Sequence, residues 1–299
     1  MSRTVTSSPE TDESTSRMTG PGKLPFSILL GRMIIRSIGT LHELVAFSLI
    51  TLSVTLLKCN RSKAVVHPII RSQIYLAGIR LVPLVGMVAI MTGFIVVGQM
   101  ISLFSMIGAS RYTGLAMVVA VFRELGPLMT AMMVLARVGT STVIELGTKR
   151  AMGEVEALEA LGIDSIHYLV VPRVLGLALS IMALTIYFIL ISMVSAYMFV
   201  FMQDIPMKPG AFVNQIVEAL HISDFLMLVL KSFFFGTIIA VVTCYEGLAR
   251  PIRLGDISSA AMRAVMKAIL FCVLLDAVFI LYWMVEWNLF TKIPARLKS

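Results

Sequence analysis

Two runs set the scale of the chain. Leu81 to Gly108 carries no Asp, Glu, Lys or Arg, and neither does Val174 to Gln203. Each exceeds the ~20 residues that a helix needs to cross the hydrocarbon core of a bilayer. Apolar runs with few charges recur, and the pattern predicts five spans at about 81–106, 113–148, 174–202, 223–246 and 260–288. The second is long: at 1.5 Å per residue it reaches ~54 Å. It must tilt or project, and Glu145–Arg150 (ELGTKR) is its projecting end. The connection Gln203–Ser223 holds Pro206, Pro209 and Gly210 and reads as a loop with a short helix near 211–220. Glu246–Ile257, with Gly247, Pro251 and Gly255, reads as a turn.

Between the second and third spans the pattern changes. Met152, Val155, Leu158 and Leu161 recur every third residue, while Glu154, Glu156 and Glu159 fill the rest. This is a short acidic helix with one apolar ridge. Gly162 sits where a helix-ending C′ glycine belongs. Asp164 is placed to cap the next helix, and Pro172 suits its first turn.

The amino-terminal pattern differs again. Residues 1–24 are rich in Ser, Thr, Glu and Gly without an apolar run, which predicts a disordered tail. No h-region with a small-residue cleavage site occurs there. Residues 25–58 contain Arg32 and Arg36 on one helix face, then His42 and Glu43, then only 14 clean apolar residues from Leu44 to Leu57. That is short for a span, so an amphipathic helix lying in the membrane interface is predicted. The alternative is a sixth span. Charge placement chooses between them. With five spans, seventeen Lys and Arg fall on the amino-terminal side and five on the other. That obeys the positive-inside rule, whereas a sixth span would put residues 149–173 and 248–267 outside. The predicted topology has a cytoplasmic amino terminus and an outer carboxyl terminus.

Composition agrees and excludes several classes. Of the 299 residues 58% are hydrophobic and 14% charged, with mean hydropathy +0.92; soluble domains carry about 25% charged residues. The net charge of +8 therefore reads as membrane topology and not as nucleic-acid binding. Three scattered cysteines, Cys59, Cys244 and Cys272, form no CxxC. The four histidines have no metal-ligand spacing. Gly147-Thr148-Lys149 is followed by Arg150 and lacks the upstream glycine of a phosphate-binding loop. No nucleophilic triad is present in the pattern. The chain is expected to be non-enzymatic, with no cofactor of its own.

Charges inside apolar helices are the remaining chemistry. Arg123, Glu124 and Arg137 fall in the second span, with Arg137 within ~40° of Arg123 on a regular helix. Lys231 lies in the fourth and Asp276 in the fifth, at similar depth, so they could pair. Charges at such depth cost several kcal/mol unless paired or wetted. A structural ion pair and a polar patch meeting a phosphate head group both fit. Gly126, Ala131, Ala136 and Gly139, after Ala116 and Ala120, would permit close helix approach.

The order of motifs adds a resemblance. RELGP (Arg123–Pro127), ARVG (Ala136–Gly139), ELGTKR (Glu145–Arg150), EVEALEALGID (Glu154–Asp164) and YLVVPRVLG (Tyr168–Gly176) resemble the MlaE/YrbE permeases of MCE-associated lipid transporters. The likeness extends more weakly from Arg71 to Leu289, defining a permease domain at 59–299. The chain departs from the family at Gly255–Met262, where a Gly-Val-Gly-x-Ala-Thr-Thr-like run is usual.

The resemblance implies an all-α integral membrane protein with an interfacial helix, five transmembrane helices and a cytoplasmic coupling helix. It implies a homodimer in a bacterial inner membrane that moves phospholipid to or from an MCE-domain protein. ATP and Mg would belong to a separate ABC ATPase. Glu154, Val155, Glu156, Leu158, Glu159, Leu161, Gly162 and Asp164 would seat in that ATPase. Val96, Leu103, Phe104 and Ile107, with Arg123, Glu124, Lys231 and Asp276, would meet lipid. Two other classes remain open on the residues alone. One is an ion-coupled secondary transporter relaying through Arg137, Glu145 and Asp276, although no internal repeat supports it. The other is a structural anchor of an envelope complex.

Overall fold

The computed structural model describes residues 46–47, 49–51, 53, 63–109, 112–202, 209–248 and 254–296. The expected tail at 1–24 and nearly all of the expected interfacial helix at 25–58 lie outside the described residues, as does most of the turn before residue 254. Of that interfacial segment, Ala46, Phe47 and residues 49–51 are helical. Phe47 sets its ring edge-on to Tyr245 at 5.7 Å between centroids. Leu49 and Ile50 on the same segment are exposed.

Helices and no strands occur among the described residues. Five are long and apolar enough to cross a membrane: Pro68–Met106, Thr113–Ala151, Ile166–Met202, Ile222–Leu248 and Ile257–Val285, here the first to fifth spans. Two begin well before their uncharged runs. Helix is already present at Lys63–Ala77, ahead of the first run, because the exposed Arg71 ends the apolar pattern without ending that helix; a 3-10 turn at Ile79–Leu81, holding the exposed Arg80, joins it to the helix that starts at Val82. The third span starts at Ile166 because Arg173, 4% exposed, is paired by Glu145 and so tolerated inside it.

The third and fourth spans form the centre. In their most apolar stretches 56% and 50% of residues are buried, against 22% for the fifth, which lies at the edge. The third touches the first, second and fourth, and the fourth also meets the second and fifth. Phe188 and Ile181 from the third span and Phe235 and Ile239 from the fourth fill the middle. Glycine lets these helices approach. A Cβ on Gly236 would stand 2.5 Å from the Ala178 Cα, and one on Gly93 would stand 2.1 Å from the Ser192 carbonyl oxygen. Small residues at membrane-helix contacts serve this purpose. Gly126, Ala131 and Gly139 on the second span are buried as such residues should be, whereas Ala136 is exposed.

The spans are not regular helices. π-helical turns occupy Thr92–Val97, Val118–Leu125, Leu135–Gly139 and Ile166–Val170. Such turns rotate everything that follows them and concentrate at functional positions. The last precedes Pro172, which has no N–H to donate to the turn before it. Two of them span Arg123 and Arg137, so the expected common face of these residues, computed at 3.6 residues per turn, does not apply. The Arg123 side chain is 17% exposed, while Arg137 is exposed.

Candidate functional site

Two charge-bearing regions stand at different heights in the bundle. The first lies inside it. Arg123 and Lys231 sit about ten residues from the ends of their spans that are farthest from the 152–165 connection, and Asp276 lies within the fifth span, whose helix continues to Arg296. About ten residues are ~15 Å of helix, well inside the apolar stretches. The Lys231 Nζ lies 2.6 Å from Asp276 Oδ1 and donates to Glu124 Oε2 at 3.1 Å and to the Arg123 carbonyl oxygen at 2.7 Å. An ammonium has three donors; hydrogen bonds go to Glu124 and the Arg123 carbonyl, while Asp276 Oδ1 makes an ion-pair contact without a hydrogen bond. Lys231 is 3% exposed, and its neighbours explain how a charge is held there.

Arg123 points elsewhere. Its Nη2 donates to Asp224 Oδ1, and its guanidinium lies over the Trp283 ring at 4.2 Å from the centroid. Its Nε and Nη1 are buried and have no hydrogen-bonding partner among the described residues. Asp224 is 6% exposed and also accepts the His221 backbone N–H at 3.0 Å, so it closes the start of the fourth span as half of a capping box. These residues border a cavity of about 230 Å³ whose other walls include Met227, Phe279 and Tyr282. It combines a charged wall from the second and fourth spans with an aromatic and aliphatic wall from the fifth.

The second region is the connection between the second and third spans. Its helix, Glu154–Ala160, is bracketed by Gly153 at φ 78° and Gly162 at φ 74°. The Gly162 N–H donates to Glu159 O and the Ile163 N–H to Leu158 O, both at 3.0 Å, which is a Schellman ending. Asp164 Oδ1 accepts the backbone N–H of Ile166 at 3.2 Å and of His167 at 3.4 Å, starting the next helix. Glu154, Glu156 and Glu159 face solvent. The apolar ridge is divided, contrary to its period. Val155 is 4% exposed and Leu158 packs against the bundle core, while Met152 and Leu161 are 63% and 76% exposed. A seven-residue helix held at both ends by left-handed glycines cannot keep all four side chains on one outward line. A cavity of about 360 Å³ beneath it is lined by Lys149, Glu154, Val155, Leu158, Leu161 and Tyr168.

Ion pairs clamp the base of this elbow. Arg173 Nη2 and Lys149 Nζ reach the same Glu145 oxygen at 2.6 and 3.1 Å, joining the end of the second span to the start of the third. At the same end of the bundle, buried Glu246 receives Lys267 and, at 3.5 Å, Arg263 Nε. Glu145 and Asp276 thus belong to separate networks, and no described ion pair links them as a relay.

The family model for the permease MlaE matches residues 70–282. The chain belongs to the MlaE permease family. Relatives of this MlaE permease include a probable ABC transporter permease protein of Rickettsia bellii, 30% identical over 179 residues, covering 60% of this chain and 69% of that protein. One from Porphyra purpurea is 30% identical over 202 residues, 67% and 76% of the two chains. One from Synechocystis is 30% identical over 183 residues, 61% and 67%. The chain is an ABC transporter permease, a multi-pass membrane subunit, which sets aside the secondary-transporter reading.

Within this MlaE permease, Arg123, Glu124, Lys231 and Asp276 come together. Val96, Leu103, Phe104 and Ile107 do not join them; the first, second and fourth of these are 46%, 61% and 74% exposed on the first span, and none lines the charged cavity. Sequence reasoning missed Asp224 and Trp283. A signal was present. Asp224 and Lys231 are seven residues apart, as are Asp276 and Trp283, and seven residues nearly close two helical turns. Each pair therefore shares a face, and both faces meet Arg123 and Glu124.

Proposed function

We propose that this ABC permease carries phospholipid, holding the head group at the Arg123 cavity and taking its drive through the 152–165 elbow. What carries the reading is one observation: two buried guanidinium donors with no hydrogen-bonding partner among the described residues, beside a largely apolar cavity inside the helix bundle. Unsatisfied donors there are costly, and a phosphate is the group that arginine binds in the strongest geometry. Lys231, held by the Arg123 carbonyl and by Asp276 behind the wall, orders Glu124 at the cavity wall. Arg123 makes the phosphate contact.

The partners follow from the fold of the subunit. Exposed Met152 and Leu161, flanked by Glu154, Glu156 and Glu159, present apolar contacts in an acidic surround to a separate ABC ATPase, which holds ATP and Mg. Val155, Leu158, Gly162 and Asp164 set the pose of that surface. The fifth span leaves most of its apolar side uncovered, as a second copy in a homodimer requires. With Val96, Leu103, Phe104 and Ile107, that side offers wall for acyl chains. Charge placement puts the elbow in the cytoplasm, the amino terminus on the same side and the carboxyl terminus outside a bacterial inner membrane. An MCE-domain protein on the outer face would exchange the lipid. ATP-driven closure of the ATPase pair moves the elbows, and the Glu145–Arg173 clamp passes that motion to the second and third spans.

The test is purification of the protein from membranes in mild detergent, with identification of what accompanies it. Phospholipid and an ABC ATPase are expected. An MCE-domain protein without an ATPase would instead favour an envelope anchor, and absence of lipid would reject the substrate.

A further inference from the structure

The charges around the cavity do not balance. Among the described residues, Arg123 and Lys231 supply two positive groups, whereas Glu124, Asp224 and Asp276 supply three carboxylates. His221 is 4.0 Å from Asp224 but 76% exposed, so it belongs to solvent rather than to the cavity. The surplus can be located. Asp224 is neutralised by Arg123 and enclosed at 6% exposure. Asp276, 13% exposed, pairs with Lys231 at 2.6 Å and does not line the cavity. Glu124 shares that same ammonium at the longer 3.1 Å and keeps 35% of its side chain exposed while lining the cavity. The second span thus offers, on adjacent residues, a guanidinium with two donors that no described residue satisfies and a carboxylate only partly compensated.

We infer that the cavity is built for a zwitterionic phospholipid whose head group bears a primary ammonium. Its phosphate would take the Arg123 Nε and Nη1 donors, and its ammonium would donate to the Glu124 carboxylate. A purely anionic head group satisfies Arg123 but adds a second uncompensated negative charge beside Glu124. A quaternary ammonium carries the right charge but has no N–H to give. This rests on the lipid reading above and narrows it to one head-group class.

The experiment exchanges the purified protein into nanodiscs or mixed micelles containing equal amounts of phosphatidylethanolamine, phosphatidylcholine and phosphatidylglycerol, matched in acyl chains. Retained lipid is quantified by mass spectrometry. Wild type is expected to retain phosphatidylethanolamine about tenfold over each competitor, the scale of one charge-assisted hydrogen bond. Glu124→Gln should bring the three to near parity with total lipid largely kept. Arg123→Gln should lower all three together. Preference for phosphatidylglycerol, or equal retention of phosphatidylethanolamine and phosphatidylcholine, overturns the inference in wild type alone, whatever the variants' folding. A preference unchanged in Glu124→Gln overturns the assignment to Glu124. Retention of no phospholipid at all overturns the lipid reading itself.

Discussion

The elbow and the buried cluster both carry charge, but they use it in opposite ways. Elbow charges are local and wet: Lys149 pairs with Glu145 four residues away, Arg150 lies 3.9 Å from Glu156, and the three helix glutamates face solvent. Cluster charges come from residues 45 to 107 positions apart and are largely withdrawn from solvent. Removing a solvent-facing glutamate of the elbow leaves little buried charge behind, the exception being Glu145, which holds the 4%-exposed Arg173. Removing one cluster charge leaves its partner in a low dielectric, where an unpaired ion is strongly destabilising. The comparison teaches that similar residue types mark a docking surface in one place and a structural and ligand-facing core in the other.

The largest effect should come from Lys231→Met, which strands Glu124 and Asp276. A loss of about 3–5 kcal/mol is expected, read as a lowered melting temperature of the purified protein. Adding Asp276→Leu should recover much of it, since removing both ends of a buried pair costs less than stranding one. A double variant no better than the single would break the contrast with the elbow.

Next come two leucines of one short helix. Leu158→Asp inserts a carboxylate among core side chains and should destabilise the fold by several kcal/mol. Leu161→Asp alters a residue that is 76% exposed and should leave the melting temperature unchanged while abolishing copurification of the ATPase. Equal melting behaviour of the two variants would mean that the ridge is not divided.

Gly162→Ala forces a side chain into a left-handed turn at φ 74°, at a cost of about 1–2 kcal/mol. Hydrogen exchange should show the loss as faster opening of residues 154–164 alone. Smallest is Glu156→Gln, with less than ~0.5 kcal/mol expected from so exposed a pair.

The same contrast governs what the sequence could disclose. Gly162 and Asp164 were legible because capping is a matter of a few adjacent residues. The spans were legible because the bilayer fixes a minimum apolar length. The buried cluster was legible only in part. Depth along antiparallel spans brought Lys231 and Asp276 together, but depth has no angular information, so Asp224 and Trp283 were not connected to Arg123. The π turns at Val118–Leu125 and Leu135–Gly139 erased the phase relation on which Arg137 had been placed beside Arg123. The divided ridge escaped notice because a period of three fits any face of so short a helix, and only the neighbouring bundle decides which side is inward.

The account claims that substrate is held in one region and drive is received in the other. Reconstitution of the permease with its ATPase in liposomes, following ATP-dependent movement of a labelled phospholipid alongside the amount bound, tests that claim in one assay. For Leu161→Asp the account predicts bound lipid at the wild-type level with transfer lost. Transfer that persists, or lipid that is lost together with transfer, would contradict it.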